Sequence, residues 1–253
     1  MGERPIQAAV LIIGNEILSG RTQDLNLAWL AARLGELGIR LREARVVRDD
    51  PVAIAEAVRA LASAHDYLIT TGGIGPTHDD ITPASVAAAF GRRLVRHAEA
   101  VERLETYYRG RGVELNAARL RMAEAAEGAE LLWSARGGIA FRVENVFVLA
   151  GIPRVMQAQF LALAPTLVCG PPVVSRSVDC GLAEGAFAEG LGRIQEEFPA
   201  VEIGSYPYDR GGSYGARIVL RATDHHTLNE ALTRVMALLE GLGGEPKIEA
   251  NGL

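Results

Sequence analysis

The most informative segment of this 253-residue chain is Thr70-Thr71-Gly72-Gly73-Ile74-Gly75-Pro76-Thr77-His78-Asp79-Asp80-Ile81-Thr82-Pro83. It follows the apolar run Tyr67-Leu68-Ile69, which predicts a buried strand, and it leads into a helix. Thr82 suits the N-cap of that helix and Pro83 suits its first helical position. Three glycines between a strand and a helix let backbone N–H groups converge on one anion, and the helix N-terminus strengthens the attraction. The segment therefore predicts a phosphate-binding loop.

Two adjacent carboxylates, Asp79 and Asp80, belong to the same segment. A carboxylate repels a phosphate unless a cation lies between them, so this pair indicates either a divalent metal ion or a carboxylate that takes part in the chemistry. A plainer interpretation is a strand-to-helix turn whose acidic residues interact favourably with the helix dipole. Three glycines and two acids exceed what such a turn requires, and we therefore favour the functional interpretation.

Apolar runs alternate with helical patterns through the first two thirds of the chain. The predicted strands are Ala8–Ile13, Ile39–Val47, Tyr67–Thr71 and Val146–Leu149. Helical patterns separate them, and two of these are Ala98–Tyr108 and Leu115–Ala126. This alternation predicts an α/β domain over residues 1–170, with a doubly wound, mostly parallel sheet that is covered on both faces.

The composition changes at Cys169–Pro172, where a proline pair follows the last helical pattern of the α/β domain. Beyond it, the strand candidates Val201–Tyr208 and Ala216–Thr223 flank a glycine-rich hairpin, and a capping box opens a last helix near Thr227. Residues 171–245 are therefore predicted to form a small α+β domain. Residues 246–253 are predicted to be a disordered tail.

Three glycine-bearing segments follow predicted strands, and they are Gly14–Gly20, Gly72–Asp80 and Ala150–Pro153. Ligands of open α/β sheets bind outside the carboxyl ends of the strands, so these segments are expected at one edge. Glu16 and Asp49 would add two carboxylates there. The usual nucleotide and hydrolase signatures do not occur: no GxGxxG follows the first strand, no lysine completes a P-loop, and neither GxSxG nor HExxH is present.

These segments, together with Asp24, Asn26 and Val47, resemble the molybdopterin-binding (MoaB/MogA-like) domain family. Within it, the chain is most similar to the N-terminal part of the CinA-type, competence/damage-inducible proteins. The resemblance runs from about Ala8 to Val168, and the small C-terminal unit resembles the module that follows in that branch. No counterpart of the branch's amidohydrolase (NMN deamidase) domain is expected. The sequence departs from the family pattern at Ala150, Val155 and Ser134, where proline, glutamate and asparagine are usual.

The resemblance also assigns roles to residues. Asp80 and Asp49 match functional aspartates of the family and are the predicted catalytic residues. The predicted ligands of a divalent cation (magnesium, manganese or cobalt) are Asp79, Asp80 and Glu16. The predicted phosphate-binding residues lie in the three glycine segments: Gly72, Gly73, Gly75, Pro76, Thr77, Gly14, Asn15, Ser19, Gly151 and Pro153.

Three functions follow from these expectations. The first is metal-dependent hydrolysis of a nucleotide pyrophosphate such as ADP-ribose, which the likeness to CinA-type proteins implies. The second is binding or adenylylation of molybdopterin in molybdenum cofactor biosynthesis. The third is a non-enzymatic nucleotide sensor or scaffold that has lost the catalytic glutamate at Val155. All three need the same phosphate-binding loop, and the sequence does not choose among them.

The net charge of −5 disfavours a nucleic-acid partner, and no apolar run reaches membrane-spanning length. The two cysteines, Cys169 and Cys180, have neither CxxC nor metal-ligand spacing, which suits a reducing compartment. The N-terminus has no signal-peptide pattern, so a cytoplasmic location is predicted. The expected partner is a small-molecule nucleotide or pterin phosphate. The few strands of the C-terminal unit leave open edges, which predicts a homodimer.

Overall fold

The computed structural model describes residues 5–134 and 138–249, apart from the side chains of Arg210 and Ser213. The chain forms two compact units. The first comprises Met1–Gly35 and Ile39–Gly170, and the second comprises Glu36–Gly38 and Pro171–Leu253. None of the helices described in either unit has both the length and the apolarity that a membrane span requires.

The first unit alternates strands and helices. Its strands are β1 (Ile6–Ile13), β2 (Ile39–Val47), β3 (Tyr67–Thr71), β4 (Leu94–Arg96), β5 (Glu124–Ala126), β6 (Glu130–Trp133), β7 (Ile139–Val143) and β8 (Val146–Leu149). Its helices are α1 (Asn15–Leu18), α2 (Asn26–Glu36), α3 (Pro51–Ala64), α4 (Thr82–Ala89), α5 (Ala98–Arg109), α6 (Ala117–Leu120) and α7 (Pro153–Leu163). Two 3-10 turns follow α6 and α7, at Arg121–Ala123 and Ala164–Thr166.

Six strands form the main sheet in the order β2-β1-β3-β8-β7-β6. The pairs among β2, β1, β3 and β8 are parallel, and β7 and β6 are joined antiparallel to that edge. β4 and β5 form a separate two-stranded antiparallel sheet. The predicted doubly wound, mostly parallel α/β fold is confirmed.

The main sheet is buried on both faces. Every residue of Ala8–Ile13 in β1 is at most 3% exposed, although alternate side chains of a strand point to opposite faces. On one face, Ala9, Leu11 and Ile13 share a core with α3 and α4. Elsewhere in the unit, Trp29 of α2 meets Phe160 of α7 edge-on, with ring centroids 5.5 Å apart. This layering fixes the backbone of β1, from which the first glycine segment continues.

The helix predicted over Leu115–Ala126 is wrong. Only Ala117–Leu120 is α-helical, a 3-10 turn follows, and Glu124–Ala126 forms β5. The alanines of this stretch suit a helix by propensity, but Ala125 and Ala126 are buried in the core next to α3 and α4 and pair with β4. Tertiary pairing therefore overrides the local preference.

The second unit is a four-stranded antiparallel sheet with two helices. Its elements are β9 (Val174–Cys180), α8 (Glu184–Glu197), β10 (Glu202–Arg210), β11 (Ser213–Ala222), α9 (His225–Gly241) and β12 (Lys247–Glu249). The strand order is β10-β11-β9-β12. Phe187 and Ile194 of α8 and Leu228 and Val235 of α9 share a core with the sheet, which makes this unit the α+β part of the fold.

Two expectations for the second unit need correction. Residues 246–253 were predicted to be disordered, but Lys247–Glu249 form β12, whose backbone pairs with β9. The other residues of that stretch, apart from Pro246, lie outside the described part of the chain. Ala216–Thr223 was expected to offer an open strand edge, but β11 lies between β10 and β9. The edges of this sheet are β10 and β12.

Candidate functional site

The carboxyl ends of four parallel strands lie side by side in the order β2, β1, β3 and β8. Asp49 follows β2, Gly14 follows β1, Gly72 follows β3 and Gly151 comes just after β8. The strand order reverses at β1, because β2 and β3 pair with its opposite sides. Ligands of doubly wound sheets bind at this reversal, outside the carboxyl ends. The topology therefore gathers the three glycine segments and Asp49 at one edge, which we call the rim.

Gly72 closes the junction between the loops after β1 and β3. Its φ is +104°, and a Cβ built on it would lie 2.1 Å from the carbonyl oxygen of Ile13, so only glycine fits. Its N–H donates to the carbonyl of Leu149 at 3.2 Å. Gly72 was predicted to donate its N–H to phosphate, and this bond occupies that donor. Its role is to bring the loops together.

Gly73 and Gly75 keep their N–H groups available. Within residues 5–134 and 138–249, neither amide donates to a protein acceptor, and the same holds for Gly151. Gly73 has a φ of +67°, and a Cβ there would lie 2.2 Å from the Thr82 hydroxyl. Backbone N–H groups of glycines that have no acceptor within the protein can donate hydrogen bonds to an oxyanion.

Thr82 fastens the glycine loop to α4 in a way that the sequence did not predict. Its buried hydroxyl donates to the carbonyl of Gly72 at 2.9 Å, and its N–H donates to the carbonyl of Gly73 at 3.0 Å. It was predicted to be the N-cap, but the helix starts at Thr82 and the preceding Ile81 occupies that position. Thr82 therefore fixes the loop instead of capping the helix.

Thr77 joins the two carboxylates of the loop. Its N–H donates to Asp80 Oδ2 at 2.7 Å, and its hydroxyl lies 2.6 Å from that atom and 2.5 Å from Asp79 Oδ1. The hydroxyl bond lowers the pKa of Asp79, and its own backbone amide, His78 and Arg121 act in the same direction. A Cβ on Gly75 would lie 2.7 Å from Asp80 Oδ2. The Asp80 carboxylate therefore lies directly against the glycine whose amide is available.

Asp49 and Asn15 tie the loops after β2 and β1 together. Asn15 N–H donates to Asp49 Oδ2 at 2.8 Å, and Asp49 N–H donates to Asn15 Oδ1 at 3.4 Å. Gly14 N–H is also occupied, by the carbonyl of Val47 at 3.2 Å. Gly14 and Asn15 were predicted to bind phosphate, and in this structure their backbone amides hold the loops in register. Asp49 Oδ1 accepts no hydrogen bond from a residue that the structure describes.

Glu16 lies in the short helix α1, and Ser19 is the C-cap residue that follows it. The carboxylate of Glu16 folds back over Gly14, where an added Cβ would lie 2.5 Å from Oε1. Ser19 uses both of its donors inside the turn: its N–H reaches the carbonyl of Asn15 at 2.9 Å and its hydroxyl reaches that of Glu16 at 3.2 Å. Ser19, a predicted phosphate ligand, therefore stabilises the loop in this structure.

Two amide side chains hold the third glycine segment. Asn26 Nδ2 donates to the carbonyl of Gly151 at 2.8 Å, and Gln159 Oε1 accepts from the N–H of Ala150 at 2.8 Å. An added Cβ on Gly151 would lie 3.2 Å from Gly72 Cα, so the segments after β3 and β8 are in contact. Pro153 lies in the first turn of α7. The positioning roles of Asn26 and Gln159 were not predicted.

The acidic residues of the rim do not form a complete metal site by themselves. Across the described ranges, no three side chains of histidine, cysteine, aspartate or glutamate converge closely enough to hold a metal ion. Asp79 and Asp80 are adjacent in the loop after β3, whereas Glu16 lies in α1, which follows β1. Two carboxylates suffice for magnesium when phosphate oxygens and waters supply the other ligands. The metal-binding roles of Asp79, Asp80 and Glu16 therefore stay a prediction.

Comparison with known proteins agrees with this architecture. The sequence matches the family described as "Probable molybdopterin binding domain" over residues 9–168 and the family "FAD synthase, middle domain" over residues 172–243. The chain belongs to the molybdopterin-binding domain family, and the predicted resemblance is confirmed. Its second unit is similar to the middle domain of FAD synthases.

Individual relatives extend this likeness. A protein of Aeropyrum pernix is 37% identical over 259 residues, which cover 95% of this chain and 93% of that protein. A probable FAD synthase of Caenorhabditis elegans is 32% identical, over 92% of this chain and 50% of its own length. The chain thus spans about half of that relative. The crystal structure of CinA from Thermoplasma acidophilum superimposes with a TM-score of 0.59 at 31% identity, over 64% of this chain and 98% of that one.

Proposed function

We propose that the first unit binds a nucleotide through its pyrophosphate and hydrolyses the phosphoanhydride bond with a divalent cation. The observation that carries this proposal is that the carboxylate of Asp80, which Thr77 joins to that of Asp79, lies against Gly75, whose backbone N–H is available. Gly73 and Gly75 supply the amides, and Asp79 and Asp80 supply the carboxylates, at the edge where doubly wound sheets bind ligands. Amides bind phosphate oxygens, and a cation on the carboxylates cancels the repulsion.

The chain's residues have distinct parts in this reaction. Asp79 and Asp80 would hold magnesium, manganese or cobalt, with phosphate oxygens and waters as the other ligands. The bound cation would neutralise the developing charge and lower the pKa of the attacking water. Asp49 Oδ1 would accept the proton of that water, while Asp49 Oδ2 keeps the β1 loop in place through Asn15. Glu16 would supply a further carboxylate.

ADP-ribose and FAD are the substrates that we propose to test first, because each joins AMP to a second group through a pyrophosphate. The water oxygen forms a bond to one phosphorus, and the bond from that phosphorus to the bridging oxygen breaks. With ADP-ribose the products are AMP and ribose 5-phosphate, and the water gives up a proton. The resemblance of the glycine segments to CinA-type proteins implies the first substrate, and the likeness to a probable FAD synthase supports the second.

Adenylyl transfer is a second candidate, and the match of residues 172–243 to the middle domain of FAD synthase favours it. A site that holds a pyrophosphate and a cation can accommodate ATP equally well. A phosphate oxygen of a flavin or pterin phosphate would then attack the α-phosphorus of ATP in place of water, the bond from that phosphorus to the α,β-bridging oxygen would break, and pyrophosphate would leave. Molybdopterin enters as an acceptor because the family's description names it.

A nucleotide sensor is the third candidate. Val155 stands where the family usually has glutamate, and its Cγ1 would contact a Cβ built on Gly138 at 3.1 Å. A valine cannot ligate a cation or accept a proton, so the position has lost that chemistry. Binding without turnover would be the result.

A substrate panel separates the three functions. The full chain is incubated with ADP-ribose, FAD, NAD or ATP, each with magnesium, manganese or cobalt, and products are followed by phosphorus NMR. A further arm contains ATP with FMN. Release of AMP supports hydrolysis, formation of FAD and pyrophosphate supports transfer, and calorimetric binding without turnover supports the sensor. If the chain neither binds nor turns over any of these nucleotides, the proposed site is refuted.

A further inference from the structure

Arg121 is a cation at the edge of the carboxylate pair. It lies in the 3-10 turn after α6, is partly buried, and donates from Nη2 to the carbonyl oxygen of Asp80 at 3.3 Å. Its charge also reaches Asp79, whose pKa it helps to lower. The backbone here is well anchored, since Asn116 caps α6 through the N–H of Arg119 and Ala123 is buried against α5. Arg121 therefore has a defined position beside the glycine loop.

Most of the guanidinium of Arg121 is unengaged. No carboxylate of the described residues forms an ion pair with it, and the bond to Asp80 uses one of its five N–H groups. Nearby arginines differ: Arg92 pairs with Glu144, Arg93 with Glu127 and Arg96 with Glu124. Arg121 lies near Asp79 and Asp80 but forms no ion pair with either carboxylate. A partly buried guanidinium in this state is suited to a ligand that carries its own negative charge.

We propose that Arg121 binds the phosphate of the nucleotide directly, beside the carboxylate pair that would hold the cation. This inference rests on the proposed function of the same site. The planar fork of arginine matches two phosphate oxygens at once and remains charged at every relevant pH. Arg121 would then select for the pyrophosphate, while the amides of Gly73 and Gly75 bind its remaining oxygens.

Calorimetric titration with inorganic pyrophosphate and manganese tests this role in the full chain. Arg121→Gln should weaken binding by about 10- to 100-fold, because a charge-assisted bidentate contact is lost. Arg121→Lys should recover part of the affinity, since it keeps the charge without the fork. Arg96→Gln is the matched control, because Arg96 is already paired with Glu124, and it should bind like the wild type. Thermal unfolding of each variant reports any loss of folding.

The outcomes separate the two proposals. A wild type that binds no pyrophosphate overturns both the nucleotide site and the role of Arg121. If the wild type binds and Arg121→Gln binds equally well, Arg121 serves only as a structural donor to Asp80 and this inference fails alone. If Arg121→Gln is unfolded, the folded Arg121→Lys variant decides: undiminished affinity overturns the bidentate contact, and a severalfold loss supports it.

Discussion

At the scale of single residues, the candidate site depends on the contact between Asp80 and Gly75. An added Cβ at Gly75 would lie 2.7 Å from Asp80 Oδ2, so the glycine makes room for the carboxylate. Thr77 then holds that carboxylate with its N–H and hydroxyl. The Asp80 carboxylate is thereby fixed beside an available backbone amide. This arrangement suits a site that binds a cation or transfers a proton.

The first prediction concerns Asp80→Asn. The amide keeps the size of the side chain and an oxygen that can accept from Thr77, but it removes the charge. We expect turnover of a confirmed substrate to fall roughly a hundredfold or more, with little change in thermal unfolding. Asp209→Asn is the matched control, because Asp209 also accepts a local backbone N–H, in the hairpin of the second unit. Equal turnover by both variants would remove Asp80 from the mechanism.

A second prediction concerns the pKa of Asp79, which the Thr77 hydroxyl lowers more than any other group. Thr77→Val should raise this pKa toward its ordinary value. A lowered pKa keeps the carboxylate charged to lower pH, so affinity for a cation is lost as pH falls through it. In the variant that loss should begin at a higher pH. Carboxyl-carbon NMR titration measures the shift directly.

Thr227→Val provides the control for this measurement. Thr227 donates its hydroxyl to Asp224 at 2.6 Å and lowers the pKa of that residue, far along the sequence from the glycine loop. The control should raise the pKa of Asp224 and leave that of Asp79 unchanged. An unaltered Asp79 titration in Thr77→Val would show that the hydroxyl does not stabilise the charged form.

At the scale of elements, local sequence is sufficient to predict a helix or strand boundary where a single residue determines it. An aspartate followed by proline is a typical helix start, and at the start of α3 Asp50 precedes Pro51 and its Oδ1 accepts from Ala53 N–H at 2.8 Å. Local sequence is insufficient where hydrogen bonds to residues distant along the chain determine the structure. Thr82 donates to the carbonyl of Gly72, ten residues earlier, instead of capping α4. β5 forms because β4 is there to pair with it.

The third prediction tests the cap of α3. Asp50→Ala should lower the free energy of unfolding by about 1 kcal/mol, since the N–H of Ala53 loses its acceptor. Asp50→Asn should change it little, because asparagine caps about as well as aspartate. Urea denaturation of both variants makes the comparison. Equal stability of Asp50→Ala and the wild type would mean that water satisfies this helix end.

At the scale of the whole molecule, the mostly parallel sheet could be anticipated from the sequence, but the hydrogen-bond partner of each backbone amide could not. Buried apolar runs with intervening helices indicated a parallel sheet, and this was enough to place three glycine segments at one edge. The hydrogen bonds that hold the rim together join residues far apart in sequence, such as Asn15 with Asp49 and Asn26 with Gly151. Which N–H groups remain available for a ligand depends on those contacts. The sequence therefore could not show that the backbone amides of Gly72, Gly14 and Asn15, three predicted phosphate-binding residues, donate to acceptors within the protein.

A fourth prediction concerns association and independent folding. We expect the full chain to be a homodimer in which the second unit contributes to the contact, since β10 and β12 are open sheet edges. Residues 1–170 should stay folded when expressed alone, because the sheet of the first unit has its own buried core. Light scattering and circular dichroism on both proteins make the test. A monomeric full chain at micromolar concentration would refute the dimer, and an unfolded 1–170 would refute the independence of the unit.

The central claim is that water cleaves a nucleotide pyrophosphate at the rim. Its most direct test is ADP-ribose incubated with the full chain and manganese in ¹⁸O-labelled water, with the products weighed by mass spectrometry. We predict AMP and ribose 5-phosphate in equal amounts, with one labelled oxygen in the phosphate of one product, and a rate that collapses in Asp80→Asn. Intact ADP-ribose after prolonged incubation with magnesium, manganese and cobalt, although calorimetry records its binding, would contradict the claim.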